Sequence, residues 1–380
     1  MKKQPAGIYV HVPFCVKKCR YCDFYSITDL TPRRTFVDAL IREIETAPDP
    51  GPVDSLYIGG GTPSILDPAE IERLIAAIYK RFTLDPGSEI TLEANPGTVD
   101  KEKLSEFKAL GINRLNLGVQ SFSREALAFL GRIHTTEEST RAIKSARAAG
   151  FDNLGLDIIY GLPGQTDNAL RQDLEKAASF NPEHLSCYLL TYEKGTPLDK
   201  DREKGIVSPL SESRTADLFL QACGLLDRIG YGQYEISNFA RSSAYRSRHN
   251  QKYWTFAPYI GLGPAAHSFL APTRYWNHRN LKTYLSDLEN GRLPVEAKET
   301  LDKSRQMIEA VYLGLRQTRG ISIDSFNRKF NVDFGSLFDS VLSDPGLEKL
   351  LKTGDNACRL TVQGMLVMDS LVVRLVDLIQ

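Results

Sequence analysis

Short apolar segments alternate with longer amphipathic segments through the first half of the chain. The apolar segments are residues 7–12, 55–60, 89–95, 114–120, 153–161 and 184–192. Between them, apolar residues recur at the i, i+3, i+4 spacing of a helix, as in Phe36, Ala39, Leu40 and Ile44. This rhythm predicts six strand–helix units that build a parallel sheet with right-handed crossovers.

Six such units define an α/β fold, and we predict a partial (β/α)6 barrel. An open, doubly wound sheet is the alternative that the same rhythm allows. The barrel is favoured because polar residues and glycines stand at or near the carboxyl ends of successive predicted strands. Barrel enzymes build their sites at that end. The residues concerned are a cysteine-rich loop after the first strand, Gly59 to Pro63, Glu93, Gln120 and Asp157.

The regular alternation fades after about residue 192. We expect the barrel to occupy residues 1–235 and an aromatic-rich connecting segment to occupy residues 236–300. Residues 301–380 return to helical patterns and are expected to form a mainly helical, winged-helix-like domain. Basic and acidic residues balance in this last part, so a DNA-reading wing is not expected.

Charge and hydropathy exclude several classes of function. The chain carries 47 basic and 47 acidic residues, which leaves no electrostatic footprint for nucleic acid or an anionic membrane. No apolar run approaches the roughly 20 residues of a membrane-spanning helix, and the first residues lack the pattern of a secretory signal. We therefore expect a cytoplasmic protein in which Cys187, Cys223 and Cys358 are reduced and buried.

Cys15, Cys19 and Cys22 form a C-x3-C-x2-C run directly after the first apolar segment. Three thiolates on one short loop can hold three irons of a [4Fe-4S] cluster, whereas a simple electron-transfer site would have a fourth cysteine. The fourth iron would then accept the amine and carboxylate of S-adenosylmethionine (SAM). A zinc site with His11 as the fourth ligand is the alternative, but zinc cysteines usually occur as separated C-x2-C pairs.

The other chemistry-bearing residues suit a cationic, amino-acid-like ligand. Gly59 to Gly61 allow the backbone to approach a ligand closely, although a tight turn would explain the triplet as well. Glu93 and Asp157 interrupt apolar strands, where charges are rarely buried unless paired or functional. SAM carries an ammonium, a sulfonium and ribose hydroxyls, which two carboxylates could bind. Gln120 and Arg132 could add an amide and a carboxylate partner.

Seven segments together resemble the coproporphyrinogen-oxidase-like branch of the radical SAM superfamily. They are YVHVPFC with the two cysteines that follow, GGGTPS, LEANPGT, LNLGVQSF, LGRIHT, DIIYGLPGQT and HNQKYW. The resemblance implies that a [4Fe-4S] cluster is held by Cys15, Cys19 and Cys22. It also implies SAM contacts from Tyr9, Gly60, Gly61, Thr62, Glu93, Gln120, Arg132 and Asp157.

Two relatives within that branch differ in their motifs. The oxygen-independent coproporphyrinogen III dehydrogenases carry an N-terminal extension and a further cysteine just after the cluster loop. Here Asp23 and Phe24 follow Cys22, and the sequence starts only a few residues before the first predicted strand. The segment from His249 to Trp254 matches HNxxYW, a signature of the haem chaperones called HemW. The resemblance therefore implies a haem chaperone rather than a dehydrogenase.

The HNxxYW segment is expected to form the haem site. A neutral imidazole is a standard axial ligand of haem iron, which makes His249 the preferred ligand, with His267 and His278 as the next candidates. Asn250, Tyr253 and Trp254 would complete the site, because the two aromatic rings offer flat surface to a macrocycle. The alternative is an aromatic-rich loop that only packs over the barrel mouth.

Three functions thus stay open. The favoured one is a radical SAM protein that binds haem and transfers it to apo-haemoproteins, with a reduced flavodoxin or ferredoxin-type donor and peripheral contact with membrane haemoproteins. The second is a coproporphyrinogen III dehydrogenase that removes two propionate carboxyl groups by using SAM. The third is a non-catalytic iron-sulfur or zinc module. SAM cleavage is compatible with the first function but is not required by it.

Overall fold

Six parallel strands lie side by side in chain order in the computed structural model, which describes residues 4–379. A doubly wound sheet would reverse its strand order, whereas sequential order with right-handed crossovers places every helix on one face and curls the sheet. The prediction of a partial (β/α)6 barrel is therefore confirmed. The strands are β1 (Ala6–Val12), β2 (Val53–Gly60), β3 (Leu84–Ala94), β4 (Arg114–Gln120), β5 (Leu154–Tyr160) and β6 (His184–Leu189).

Amphipathic helices cover the outer face of these strands. The apolar stripe of the first helix, including Phe36, Leu40 and Ile44, is fully buried against the sheet, and each such side chain stabilises the fold by roughly 1.5–3 kcal/mol. The second helix begins with a capping box between Asp67 and Glu70. The helices are α1 (Arg33–Thr46), α2 (Pro68–Arg81), α3 (Lys101–Ala109), α4 (Arg124–Leu130), α5 (Thr136–Ala148) and α6 (Asp167–Ser179).

Side-chain alternation along the strands separates the core from the site. On β1, Ile8, Val10 and Val12 belong to the apolar core, whereas Tyr9 and His11 point the other way, because successive strand residues face opposite sides. The inner face of the barrel therefore carries polar and aromatic side chains. This arrangement explains why polar residues occur within otherwise apolar strands.

The segment expected to connect the two domains is instead part of the sheet. Strand β9 (Tyr259–Leu262) pairs in parallel with β1, and three further strands, β10 (His267–Leu270), β11 (Thr273–Asn277) and β12 (Val295–Thr300), extend that edge as antiparallel strands. The expectation of an aromatic-rich connection over residues 236–300 is corrected in this respect. The elements are α7 (Pro197–Glu203), α8 (Glu212–Arg228), β7 (Gly232–Gln233), β8 (Asn238–Ala240), α9 (Arg248–Trp254), β9 (Tyr259–Leu262), β10 (His267–Leu270), β11 (Thr273–Asn277), α10 (Leu281–Glu289) and β12 (Val295–Thr300).

The complete sheet has twelve strands in the order β12-β11-β10-β9-β1-β2-β3-β4-β5-β6-β8-β7. A buried carboxylate links helix α1 to the part of the sheet that β9 to β12 form. Glu43 of α1 accepts hydrogen bonds from Asn277 Nδ2 (2.5 Å), the Gly263 amide (2.8 Å) and the Tyr284 hydroxyl (2.5 Å). Three donors on one carboxylate offset the unfavourable burial of this acid.

The C-terminal part is mainly helical, as predicted. Its helices enclose a cluster of Phe326, Phe330, Phe334 and Phe338, beside a three-stranded sheet in the order β13-β15-β14. The elements are α11 (Lys303–Leu315), β13 (Ile321–Ser322), α12 (Ile323–Phe330), α13 (Phe334–Leu342), β14 (Leu351–Gly354), β15 (Ala357–Leu360), α14 (Val362–Leu366) and α15 (Met368–Val376). Within residues 4–379, no helix has the length and apolar character needed to cross a membrane.

Candidate functional site

The three cysteines lie on one loop that leaves the carboxyl end of β1 and returns to it. The loop is closed at its base by reciprocal bonds, Cys15 N to Ile27 O (2.9 Å) and Ile27 N to Pro13 O (2.7 Å). Cys15 is buried, and Cys19 and Cys22 are half-buried. The closed base holds three thiols on a short excursion at the open end of the barrel.

Two neighbouring side chains donate hydrogen bonds to the thiols. The Thr62 hydroxyl lies 3.5 Å from the Cys15 sulfur, and Arg132 Nη1 lies 3.3 Å from the Cys19 sulfur. The two hydrogen bonds tie the cysteine loop to the residue that follows the glycine triplet and to the segment after α4. Thr62 and Arg132 were predicted to contact SAM, and in the structure they contact the cysteine loop.

The glycine triplet brings β2 against that loop. Gly60 has φ +114°, a conformation that favours glycine, and its amide donates to Glu93 Oε2 (3.1 Å). A Cβ atom at Gly61 would lie 2.6 Å from the Phe14 carbonyl oxygen and 3.0 Å from the Cys15 sulfur. The triplet is thus required for close packing of the cysteine loop, whatever it does for a ligand.

Two acidic residues lie inside the barrel and line one small cavity. Glu93 accepts a hydrogen bond from the Tyr57 hydroxyl (2.7 Å), and burial raises the pKa of Glu93 to about 7. Asp157 Oδ2 accepts a hydrogen bond from Asn116 Nδ2 (2.7 Å), whereas its Oδ1 has no partner among the described residues. Burial also raises the pKa of Asp157. An unpaired buried carboxylate oxygen is costly, so Asp157 is prepared for a donor from a ligand.

Gln120 and Arg132 present further unpartnered polar atoms at this end of the barrel. Gln120 ends β4 with φ +71°, which is uncommon outside glycine and frequent at functional sites. Its Oε1 and the Nε of Arg132 are buried without partners within residues 4–379. Together with Asp157 Oδ1, these atoms leave acceptors and a donor for a polar ligand. The residues present therefore fit a ligand with ammonium, carboxylate and hydroxyl groups.

Tyr9 and His11 form a relay of hydrogen bonds beneath the cysteine loop. His11 Nε2 donates to the Tyr25 carbonyl (2.8 Å), so its Nδ1 accepts from the Tyr9 hydroxyl (3.0 Å). Burial lowers the pKa of His11 to about 4, so the ring is neutral. With both ring nitrogens occupied, His11 is not available as a fourth zinc ligand. Among residues 4–379, no three His, Cys, Asp or Glu side chains are grouped to hold a single ion.

The HNxxYW segment forms helix α9 and not the loop that the sequence suggested. It lies near the amino ends of β1 and β2, opposite the cysteine loop. His249 is 1% exposed; its Nδ1 contacts Ser55 Oγ (3.3 Å) and its Nε2 contacts the Tyr253 hydroxyl (2.8 Å). A haem iron could bind His249 only after one of these partners had left, so axial ligation by His249 stays a prediction that requires α9 to move.

The other members of the segment have separate environments. Asn250 lines a small polar cavity of about 30 Å³ inside the barrel, which also touches Asp157 and His184 and has room for a water molecule. The Trp254 ring lies against Arg316, whose guanidinium carbon is 4.4 Å from the ring centroid. His267 stacks on Trp276 and His278 pairs with Asp287 (3.3 Å). The structure therefore does not gather these residues into one site.

Comparison with known proteins identifies the family. Residues 9–177 match the radical SAM superfamily, and residues 301–367 match the HemN C-terminal domain. The heme chaperone HemW of Lactococcus lactis is 33% identical over 96% of this chain and 95% of its own length. The chain belongs to the HemW family of the radical SAM superfamily. HemW of Bacillus subtilis is 35% identical over 94% of this chain and 96% of its own length.

A solved structure supports the fold. Coproporphyrinogen III oxidase (HemN) from Escherichia coli superposes with a TM-score of 0.84 over 98% of this chain and 90% of its own, at 24% identity. Identity at that level is evidence of the shared fold alone. Membership of the radical SAM superfamily implies a [4Fe-4S] cluster and SAM, and the donor set described above fits both groups.

Sequence reasoning missed the residues that position the two carboxylates. Tyr57 and Asn116 hold Glu93 and Asp157 through single hydrogen bonds of 2.7 Å. Both side chains lie on the inner face of their strands. The alternation of core-facing and inward-facing residues along each strand could therefore have identified them. The cross-strand partner of each acid depends on the stagger of the barrel, which one sequence does not reveal.

Proposed function

We propose that this protein carries a [4Fe-4S] cluster on Cys15, Cys19 and Cys22, binds SAM beside it, and transfers haem to apo-haemoproteins. The observation that carries the proposal is similarity to proteins named heme chaperone HemW over almost the whole of both chains. The closed cysteine loop and the unpartnered polar atoms support the cofactor part independently. The haem part follows from the relatives' name.

The residues of the cofactor site have distinct roles in this proposal. Gly60 and Gly61, at the carboxyl end of β2, would place backbone groups beside the amino-acid end of SAM, and Tyr9 lies on the neighbouring strand β1. The unpartnered Asp157 Oδ1 accepts a hydrogen bond from a hydroxyl or ammonium group. The Arg132 guanidinium contacts the Cys19 sulfur, and its unpartnered Nε donates a hydrogen bond to the ligand. Gln120 Oε1 accepts a further hydrogen bond from the ligand.

The cluster, when bound, would supply one electron to the ligand at its open iron. The protein's own residues would hold the ligand. Thr62 and Arg132 hydrogen-bond the thiols, and Glu93 is anchored on two sides by Tyr57 and the Gly60 amide. The electron would come from a reduced flavodoxin or ferredoxin-type donor in the cytoplasm, and some of the clients would be membrane haemoproteins that the chaperone contacts peripherally.

Oxidative decarboxylation of coproporphyrinogen III is the second function to consider. The observation that favours it is the fold shared with coproporphyrinogen III oxidase over nearly the whole chain. Against it stands the sequence after the cysteine loop, where Asp23 and Phe24 replace the further cysteine typical of the dehydrogenases. The chaperone is therefore the function that we propose.

One experiment separates the two functions. The protein is reconstituted anaerobically with iron and sulfide, reduced, and divided between a haem titration and an incubation with coproporphyrinogen III and SAM. The proposal expects a Soret band with haem and no decarboxylated product. Steady product formation without haem uptake would contradict it and favour the dehydrogenase.

A further inference from the structure

A cavity of about 390 Å³ lies between the barrel and the C-terminal helices. Helix α9 and strands β9 and β10 form its barrel side, and helices α11 and α15 form the other. Its volume falls in the usual range for small-molecule sites, about 300–1,000 Å³. The aromatic residues that line it are Tyr253, Phe256, Tyr259, Phe269 and Tyr312.

The aromatic walls are held in place by their neighbours. The rings of Tyr253 and Tyr259 meet edge to face with centroids 4.7 Å apart, and those of Phe256 and Phe269 lie 4.4 Å apart. Tyr253 is fixed from behind by its 2.8 Å hydrogen bond to His249. Phe256 has φ +55°, which is strained for an aromatic residue and typical of functional positions. The HNxxYW segment thus builds one wall of this cavity.

Positive charge lies beside the aromatic rings. Lys329 Nζ is 4.0 Å from the centroid of the Phe256 ring and makes no ion pair within residues 4–379. Arg274 and Glu309 both line the cavity, and Arg274 is paired with Glu309 and with Glu299 (2.7 Å), so the carboxylate in the wall is compensated by a cation. Lys329 does not line the cavity itself, but it lies against the Phe256 ring that does, and a cation without a counter-charge there suits an acidic group on a flat ligand.

The Tyr259 hydroxyl is a donor atom without a protein partner. It lines the cavity and makes no hydrogen bond to another described residue. Phenolate oxygen is an established axial ligand of haem iron. On coordination to ferric iron, the Tyr259 oxygen would form one Fe–O bond and release its proton to solvent, with no change in iron oxidation state.

We propose that haem binds in this cavity, with its ring between the aromatic walls, a propionate near Lys329 and the Tyr259 oxygen on the iron. This inference rests on the proposed haem-transfer function and supplies its site. The ring face suits offset contact with Tyr253 and Phe256. The open edge beside Tyr312, which is 40% exposed, would allow release to a client.

The position of the cavity separates haem from SAM. Tyr259 pairs with Gly7 at the amino end of β1, whereas the cysteine loop leaves β1 after Val12. Five residues of strand separate the two levels, about 16 Å at ~3.3 Å per residue. Haem in this cavity would therefore lie at the barrel end opposite the cluster.

A second groove, on the outer helical layer, is a poorer haem site. It has a volume of about 970 Å³ and lies between α4, α5 and α6. Glu125, Glu137 and Asp173 line it against the single cation Lys176. Three carboxylates against one ammonium would repel the two haem propionates, so the smaller aromatic cavity is preferred.

Bulky substitutions in the cavity wall provide the test. Haemin is titrated into the full-length, cluster-reconstituted protein, and into Ile308→Trp and Val376→Trp, which fill the cavity from two different helices. The matched control is Ile206→Trp, because Ile206 is 68% exposed and far from the cavity. Both cavity variants should bind haemin at least about tenfold more weakly, with the cluster absorbance unchanged, whereas the control should match the unmodified protein. Thermal unfolding identifies any variant that has lost its fold.

Tyrosine variants test the ligand. Tyr259→Phe should shift the Soret band and remove the visible charge-transfer band of ferric phenolate, and Tyr79→Phe on the exposed side of α2 serves as the control. Iron-free protoporphyrin IX should bind to the Tyr259→Phe variant as tightly as to the unmodified protein. A spectrum that changes with His249→Ala and not with Tyr259→Phe would overturn Tyr259 as the ligand.

The haemin titrations distinguish failure of the proposed haem site from failure of the proposed haem-transfer function. If the unmodified protein binds haemin and both folded tryptophan variants bind it equally well, the cavity is not the site, and the haem-transfer function stands. If the unmodified protein takes up no haemin, both the function and the site are refuted.

Discussion

Replacement of Gly61 by alanine would test the fit between the glycine triplet and the cysteine loop. The new Cβ would lie 2.6 Å from the Phe14 carbonyl oxygen, whereas carbon–oxygen contacts normally close at about 3.3 Å. The loop must therefore retreat by roughly 0.7 Å. Gly61 does not have a positive φ, so the effect comes from the collision and not from backbone strain. Overpacking of this kind costs about 1–3 kcal/mol.

That penalty falls on the loop that carries all three proposed ligands. If this free-energy cost applies only when the loop adopts the cluster-binding geometry, cluster retention should fall about 5- to 150-fold. The assay is iron and sulfide per chain after anaerobic reconstitution, followed by the rate of iron loss to a chelator. Urea unfolding of the cluster-free protein measures the change in stability separately.

Gly224→Ala on α8 is the matched control. The nearest atom to a Cβ there is the flexible end of Arg228 at 3.5 Å, so this alanine should leave the cluster intact and stabilise the helix by about 0.5–1 kcal/mol. Equal cluster retention in Gly61→Ala and in the unmodified protein would refute the claim that this glycine sets the position of the loop.

Alanine at Cys15, Cys19 or Cys22 should each abolish the visible iron-sulfur absorbance, whereas alanine at Cys187, Cys223 or Cys358 should not; normal iron content in the first three would contradict the assignment. SAM affinity should rise as pH increases through about 7, because burial raises the pKa of Glu93 to about 7 and the carboxylate must ionise to attract a cation; calorimetry at pH 6 and pH 8 checks this, and Glu93→Gln should remove the dependence. Burial raises the pKa of Glu43 from 4.5 to about 7, so its contribution to stability is present below about 4.5 and lost as pH rises through 7. Urea unfolding of Glu43→Gln should show a flatter pH profile between pH 5 and pH 8, and an unchanged profile would show that another group titrates.

The barrel was predictable because its signals are long and repeated. Each of β1 to β6 is six or more residues long, and the helices between them show a clear apolar stripe, so period and order suffice to define the topology. The cysteine spacing and the polar ends of the strands likewise indicated the site. Candidate site residues can be predicted from the sequence when the pattern that marks them, such as the cysteine spacing, lies within one short segment.

The sheet extension was not predictable in the same way. β9 has four residues, Tyr259–Leu262, and is bordered by Pro258 and Gly263. A segment so short shows no reliable period, and its pairing with β1 joins residues some 250 positions apart. Only the folded chain reveals that partner.

The environment of His249 depended on geometry in the same way. From the sequence, an imidazole close to aromatic residues suits a haem site. In the fold, Gly7 and Ser55 leave room for the ring inside the barrel: a Cβ at Gly7 would lie 2.9 Å from His249 Nδ1. The side chain therefore fills a space made by a glycine some 240 residues earlier, which no local pattern could indicate.

Haem transfer is the measurement that tests the central claim most directly. The protein is loaded with one equivalent of haemin, freed of excess, and mixed anaerobically with an apo-haemoprotein whose holo spectrum differs from its own. The account predicts that the Soret band moves to that of the holo-acceptor, faster than from free haemin at the same concentration. A protein that takes up no haemin, or that converts coproporphyrinogen III instead, would contradict it.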